Sequence, residues 1–408
     1  MSTTVSPGSD RAPDPPAPAS DVVSAPWRDF FLYFLRLGTF GFGGPIALAG
    51  YMQRDLVERR RWISKEDYVQ GLALAQLAPG PLAAQLAMYL GWVRDRVRGA
   101  TLVSAAFILP SFVMVLVLSG LYVQYGGLAW MQSAFYGIGA AVIAIIARSA
   151  LKLVKMTLAR DRLLWGVFLV SAVATAWTES EIIWLFLASG VVVLLVRAPP
   201  RFASPAAVSL LGPGAFSTLL AAGAPALSLT APSWPLLSRV TIYFAEAGAF
   251  VFGSGLAIVP FLHGGVVNQY HWLTERQFLD AVAVAMITPG PVVITVAFIG
   301  YLVAGPLGAI AASIGVFVPC YLFVIIPAPY FRRFSGNRRV KAFVDGVTAA
   351  ATGAIAGAAF VLGRRALIDI PTVLIALATW FVFSRFKKLP EPLVILVAGV
   401  VGLIVHRP

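Results

Sequence analysis

Two tripeptides stand out among the residues able to do chemistry. Pro79-Gly80-Pro81 lies within LALAQLAPGPLAAQLAMYL, and Pro289-Gly290-Pro291 within AVAVAMITPGPVVITVAFIGYL. Each interrupts an apolar, helix-forming run. Proline lacks an N–H and its ring clashes with the carbonyl four residues earlier, so the carbonyls of Ala75 and Ala285 lose their helical partners. Pro81 and Pro291 then start a second helical arm, a position where proline is favoured. The amides that follow, Leu82 to Ala84 and Val292 to Ile294, precede the first intrahelical bond and sit at the positive end of the helix dipole. Such an end attracts anions. Polar Gln85 and its counterpart Thr295 flank the breaks, and Gln76 and Thr288 could add side-chain donors. One copy would read equally well as a structural kink. Two copies at equivalent positions favour a shared chemical task.

A second pair of breaks lies upstream of these. GTFGFGGPIALAG carries Gly41, Gly43, Gly44 and Pro45, with Phe42 between, and is answered by AFVFGSGLAIVP with Phe252, Gly253, Ser254 and Gly255. Successive glycine amides can form an anion nest, and small residues also let membrane helices pack closely; both readings stand. Charged groups inside apolar runs are costly and mark function. Arg36 and its equivalent Glu246 are two such groups. Arg36 could neutralise an anion or snorkel to the interface; Glu246 could carry a coupling proton or pair with a base. Asp280 and Arg148 are weaker candidates. His263, His271 and His406 are read in loops or at the terminus and draw no metal or catalytic role.

The elements that hold these residues must be membrane helices. Of 408 residues, 59% are hydrophobic and 12% charged, more apolar surface than a soluble chain can hide. Runs such as Ala100–Val123, Ala342–Leu362 and Leu389–Val405 are long enough to cross a ~30 Å hydrocarbon core at ~1.5 Å per residue. The net charge of +13 sits in short loops between apolar runs, a membrane pattern that argues against nucleic acid binding. The single Cys320 allows neither an internal disulfide nor a thiolate metal cluster. No GxxxxGK[ST] string occurs to support ATP hydrolysis, and no cofactor is expected.

The chain is an internal duplication. Phe42/Phe252, Trp62/Trp272, Pro79/Pro289 and Pro81/Pro291 are separated by 210 residues, and Gly91/Gly300, Pro110/Pro319, Gly137/Gly346 and Gly190/Gly399 by 209. Loop charge then flips between the copies. Arg94, Arg96 and Arg98 answer an uncharged loop near Ala304–Pro306, whereas the uncharged loop Gln124–Trp130 answers Arg332, Arg333, Arg338, Arg339 and Lys341. By the positive-inside rule the halves lie inverted, with Arg364 and Arg365 as a dissenting pair. Inversion requires an odd number of crossings per half, and five are predicted, beginning with Trp27–Met52 and Leu236–Leu262. The Pro-Gly-Pro segment is flanked by Arg59–Arg61 and Arg94–Arg98, so a re-entrant hairpin with arms of about 18 Å is favoured over a tilted continuous span of about 40 Å. The expected fold is all-α and polytopic. It comprises a disordered tail (1–26), a first membrane repeat (27–197), a connector (198–235) and an inverted second repeat (236–408).

The two FGxG-type glycine segments, the paired PGP motifs and the RRWIS and YHWLT loops resemble the chromate ion transporter (CHR) family in its long-chain two-domain form, over roughly Trp27 to Val405. The resemblance implies a multi-pass carrier of the bacterial inner membrane that expels chromate and confers resistance. It maps the PGP motif onto Pro79, Gly80, Pro81, Pro289, Gly290 and Pro291. The glycine motif maps onto Phe42, Gly43 and Gly44 and, less faithfully, onto Phe252, Gly253, Ser254 and Gly255, where Ser254 replaces a glycine. Physical reasoning alone selects a tetrahedral oxyanion; only the resemblance selects chromate over sulfate, which remains a competitor. Membrane lipids are expected partners, and a homodimer is compatible with the reading. The rivals are a passive oxyanion channel and a sulfate transporter. An enzyme is disfavoured because no nucleophile motif, His/Asp cluster or workable carboxylate pair occurs.

Overall fold

The computed structural model describes residues 23, 25–42, 44–125, 129–158, 161–178, 182–198, 234–250, 258–331, 337–386 and 389–406. All regular elements among them are helical. In order they are α1 (Trp27–Phe40), α2 (Gly44–Met52), α3 (Lys65–Leu77), α4 (Leu82–Tyr125), α5 (Ala129–Thr157), α6 (Arg162–Thr178) and α7 (Ile183–Arg197). The second half has α8 (Trp234–Phe250), α9 (Ile258–His263), α10 (Glu275–Ile287), α11 (Thr295–Ile325), α12 (Arg338–Ala366), α13 (Ile370–Arg385) and α14 (Glu391–Val405). π-helical turns, Gln53–Arg59 and Gly264–Gln269, prolong α2 and α9. Four stretches are apolar and long enough to cross a membrane: Leu82–Tyr125, Trp130–Lys155, Val292–Ile325 and Arg338–Ala366. Four shorter apolar helices, α6, α7, α13 and α14, accompany them. The expected tail and connector lie outside the described residues, apart from a few flanking positions.

The prediction of a single span over Trp27–Met52 is corrected. Helix α1 has 14 residues, about 21 Å, and stops at Gly41. A side chain at Gly41 would collide with the Leu37 carbonyl and meet Leu48 at 2.7 Å, so only glycine lets the chain turn there. The chain then comes back. Arg61 accepts a hydrogen bond at its carbonyl from the Val23 amide (2.9 Å), and Trp62 packs 6.2 Å from Phe30. The glycine segment is therefore the corner of a helical pair, and α8 and α9 repeat it, with Tyr243 packed on Phe261, Tyr270 and Trp272.

The proline segment turns in the same manner. Tyr89 donates to Gln70 Oε1 (3.3 Å), and a side chain on Gly71 would strike the Tyr89 ring. Residues 71 and 89 stand nine positions either side of Gly80, so the chain folds back at the tripeptide. Ser64 and Thr274 start the two first arms. Ser64 Oγ accepts from the Asp67 amide, and Thr274 forms a reciprocal capping box with Gln277, which accounts for the RRWIS and YHWLT spacing.

Helix α4 is two helices. Asp95 (φ −155°, ψ 48°) and Arg96 (φ 48°, ψ −137°) break it, and α11 breaks identically at Ala304 and Gly305 (φ 62°). Past each break the chain reverses tightly: Gly91 lies against the Gly99 carbonyl, and Gly300 against that of Gly308. Segments 97–125 and 306–325 meet where Thr101 Oγ1 lies 2.6 Å from Tyr321 Oη, and Gly120 faces the hydroxyl of Tyr301, which precedes the second reversal. The remaining helices exchange partners across the halves: α5 packs on α13 and α14, and α12 on α6 and α7. Small residues allow this, with Gly137 against Ala398 and Gly402, and Gly346 against Ser189 and Gly190.

Candidate functional site

The two proline corners are held by opposite halves. Gly80 has φ +134°, and a side chain there would meet Gln85 Nε2 at 2.5 Å and Cys320 Sγ of α11 at 3.0 Å. Gly290 has φ +102°, and a side chain there would collide with Ser111 Oγ of α4. Both torsions belong to glycine. Ser111 and Cys320 are 209 residues apart, each directly following a matched proline, Pro110 or Pro319. The duplication thus places one small polar side chain of each half on the corner of the other. Sequence reasoning missed both residues, although the offset that pairs Pro110 with Pro319 also pairs their successors.

The corners differ in how their carbonyls are satisfied. At the first, Gln85, wholly buried, curls back so that Nε2 donates to the Pro79 carbonyl. Its Oε1 is buried without a hydrogen-bond partner among the described residues. At the second, Thr295 is too short to reach back and donates instead to the Val292 carbonyl (2.7 Å). Ser111 takes over, donating to the Pro289 carbonyl at 2.7 Å and lying 3.2 Å from the Gly38 carbonyl. Thr288 donates to Val284 within its own helix (2.6 Å), and Gln76 is exposed. Gly80, Pro81, Pro289 and Pro291 are buried, whereas Pro79 and Gly290 keep partial exposure.

The arms beyond the corners also differ. The Gln85 amide makes the first bond of the first arm, to the Pro81 carbonyl (3.0 Å), which leaves the amides of Leu82, Ala83 and Ala84 ahead of it. In the second arm a 3-10 turn over Val292–Ile294 tightens the start, with Ile294 bonded to Pro291 (2.9 Å).

The structure also joins a glycine segment to a proline corner. The Gly290 amide donates to the Gly41 carbonyl (3.0 Å), so the first upstream break abuts the second proline break. Gly44 opens α2; Gly43, Gly253, Ser254 and Gly255 lie outside the described residues. Arg36 and Glu246, the equivalent charged pair, are both exposed on their helices. Arg36 is turned about 200° around α1 from Gly38, the residue that packs on Phe107, and the structure does not bring it to either corner. Asp280, by contrast, is only 4% exposed, and its Oδ2 accepts from Tyr122 Oη of α4 (2.7 Å). His263, read as a loop residue, is the buried last residue of α9 and lies 2.8 Å from Glu275 Oε2.

Comparison with known proteins agrees with this two-part construction. The chromate transporter family model matches residues 28–194 and again 238–403. The chain is 58% identical over 402 residues to the chromate transport protein of Cupriavidus metallidurans, covering 97% of this chain and 98% of that one. It is 32% identical over 390 residues to the chromate transport protein of Pseudomonas aeruginosa, covering 93% and 92%. An uncharacterised transporter of Methanocaldococcus jannaschii is 28% identical over 395 residues. No solved structure matches the chain. Apolar helices of membrane length, a duplicated pair of proline corners and a family match to each half lead to one assignment: the chain belongs to the chromate transporter family.

Proposed function

We propose that the protein is a secondary carrier that exports chromate across the bacterial inner membrane and so confers chromate resistance, with sulfate as a competing dianion. The observation that carries this reading is the pair of proline corners, each gripped by a side chain of the opposite half, Cys320 on Gly80 and Ser111 on Gly290. Two inverted repeats that meet in this way bring broken-helix amides together at the bilayer midplane, where a tetrahedral dianion finds N–H donors and a positive dipole end. The orphaned Gln85 Oε1 adds an acceptor for a water or a protonated oxyanion oxygen. The proposed binding residues are Pro79, Gly80, Pro81, Gln85, Pro289, Gly290, Pro291 and Thr295, and the sequence alone adds Gly43, Gly44, Gly253, Ser254 and Gly255 of the glycine segments.

Inversion is supported by the reversal of loop charge between the halves; with the first expected span of each half folded back, four of the five expected crossings remain, so an inverted arrangement needs one further crossing between the halves. Re-entry of the Pro-Gly-Pro hairpin from the basic side is supported by Arg94, which donates to the Ala25 carbonyl at the start of α1, beside the Arg61–Val23 bond. The division into repeats 27–197 and 236–408 around a connector follows the same symmetry. Outward movement of a divalent anion through an inside-negative membrane is favoured by about 4.6 kcal/mol at 100 mV, twice the value for one charge. Export therefore needs no chemical energy source. Arg36 would then act on the anion's approach, and Glu246 would load a coupling proton.

The experiment is chromate flux in proteoliposomes at clamped potential and pH, with and without sulfate. Saturable efflux that follows the potential and is inhibited by sulfate is expected. Absence of chromate flux overturns the substrate, and single-channel currents overturn the carrier.

A further inference from the structure

A groove of about 370 Å³ lies between the start of α1 and the outer face of α4, lined by Trp27, Arg28, Phe31, Leu32, Arg98 and Leu102. Its wall is almost wholly apolar, and Arg28 and Arg98 are among the residues that line it. Positions 27, 28, 31 and 32 share one face of α1, as one-, three- and four-residue spacings dictate. Leu102 is the first of a stripe of exposed apolar residues on α4, continued by Leu109, Val113, Val117 and Leu121, so the groove opens onto the surface that meets lipid. Its mouth is at the basic end, where Arg94 stacks 5.7 Å over Trp27 and donates to the Ala25 carbonyl. Arg98 is 82% exposed, with Asp95 at 4.0 Å as a weak partner.

We infer that this groove is a binding site for an anionic phospholipid of the inner leaflet, its phosphate between Arg28 and Arg98 and an acyl chain along Phe31, Leu32 and Leu102. The juxtaposition of an apolar slot, an interfacial tryptophan and two arginines at the basic end matches an anionic head on an apolar tail. The site is separate from the proline corners, so its test needs no transport.

The test is native mass spectrometry of the full-length protein purified in detergent and titrated with phosphatidylglycerol or phosphatidylcholine. One phosphatidylglycerol retained preferentially per chain is expected. Arg28→Gln with Arg98→Gln should lower that retention about thirtyfold, from about fivefold for each arginine near a membrane, while Arg28→Lys with Arg98→Lys keeps most of it. Should the glutamine variant not fold, Leu102→Trp fills the slot with both arginines retained and should displace the lipid. Equal retention of the two lipids, an unchanged preference in the glutamine or tryptophan variant, or a dimer that covers the groove without lipid would overturn the site.

Discussion

At the scale of single residues, the corners depend on two glycines that no other residue can replace cheaply. Alanine at Gly290 would hold φ near +102° at a cost of about 1–3 kcal/mol and would also strike Ser111 Oγ. Gly80→Ala meets the Gln85 amide nitrogen and the Cys320 sulfur instead. Either substitution should cut chromate flux at least about tenfold while membrane insertion is retained; wild-type flux from either variant would remove its glycine from the site. Ser111→Ala tests the grip itself. It strips the Pro289 carbonyl of its hydroxyl donor, an unsatisfied buried group costing about 1–3 kcal/mol, so a lower thermal midpoint should accompany reduced flux. The sequence made the glycines and prolines legible because they violate helix chemistry visibly. Ser111 and Cys320 violate nothing, and they stand 178 and 240 residues from the corners they touch, so only tertiary contact gives them meaning.

At the scale of elements, the break at each Pro-Gly-Pro was readable from proline chemistry, whereas the caps at Ser64 and Thr274 emerge only in the structure. The glycine corner in Trp27–Met52 was not read as a reversal, because hydropathy registers composition and is blind to a change of direction. The reversals at 95–96 and 304–305 fall in the two loops read from charge, Arg94–Arg98 and Ala304–Pro306. They offer a matched comparison. Arg96 sits at φ 48° where its equivalent is Gly305 at φ 62° with open space around it. Arg96→Gly should therefore leave stability unchanged or raise it by up to about 1 kcal/mol, and Gly305→Ala should lower it by about the same amount. Thermal melts of the two variants in one detergent check the pair; a marked loss from Arg96→Gly would mean that the arginine, which lies 4.5 Å over Trp92, contributes more than its backbone costs.

At the scale of the whole molecule, the halves are interlaced, and the charge pattern makes sense only with both present. Arg364 and Arg365 dissent from the inverted bias, and Arg365 is paired with Glu275 of the second hairpin, so part of that charge is neutralised locally instead of orienting the chain. Asp280 ties the second hairpin to α4 of the first half through Tyr122, a buried contact that hydropathy could not foresee. The proposed inversion makes a sharp expectation, because the reversals at 96 and 305 are equivalent by sequence and would then face opposite sides of the membrane. In a Cys320→Ser background, which removes the chain's one thiol, Arg96→Cys should react with a membrane-impermeant maleimide in inside-out vesicles and Gly305→Cys in right-side-out vesicles. Labelling of both from one face would place the two corners on the same side of the bilayer, and no shared midplane site for a dianion could then be built from them.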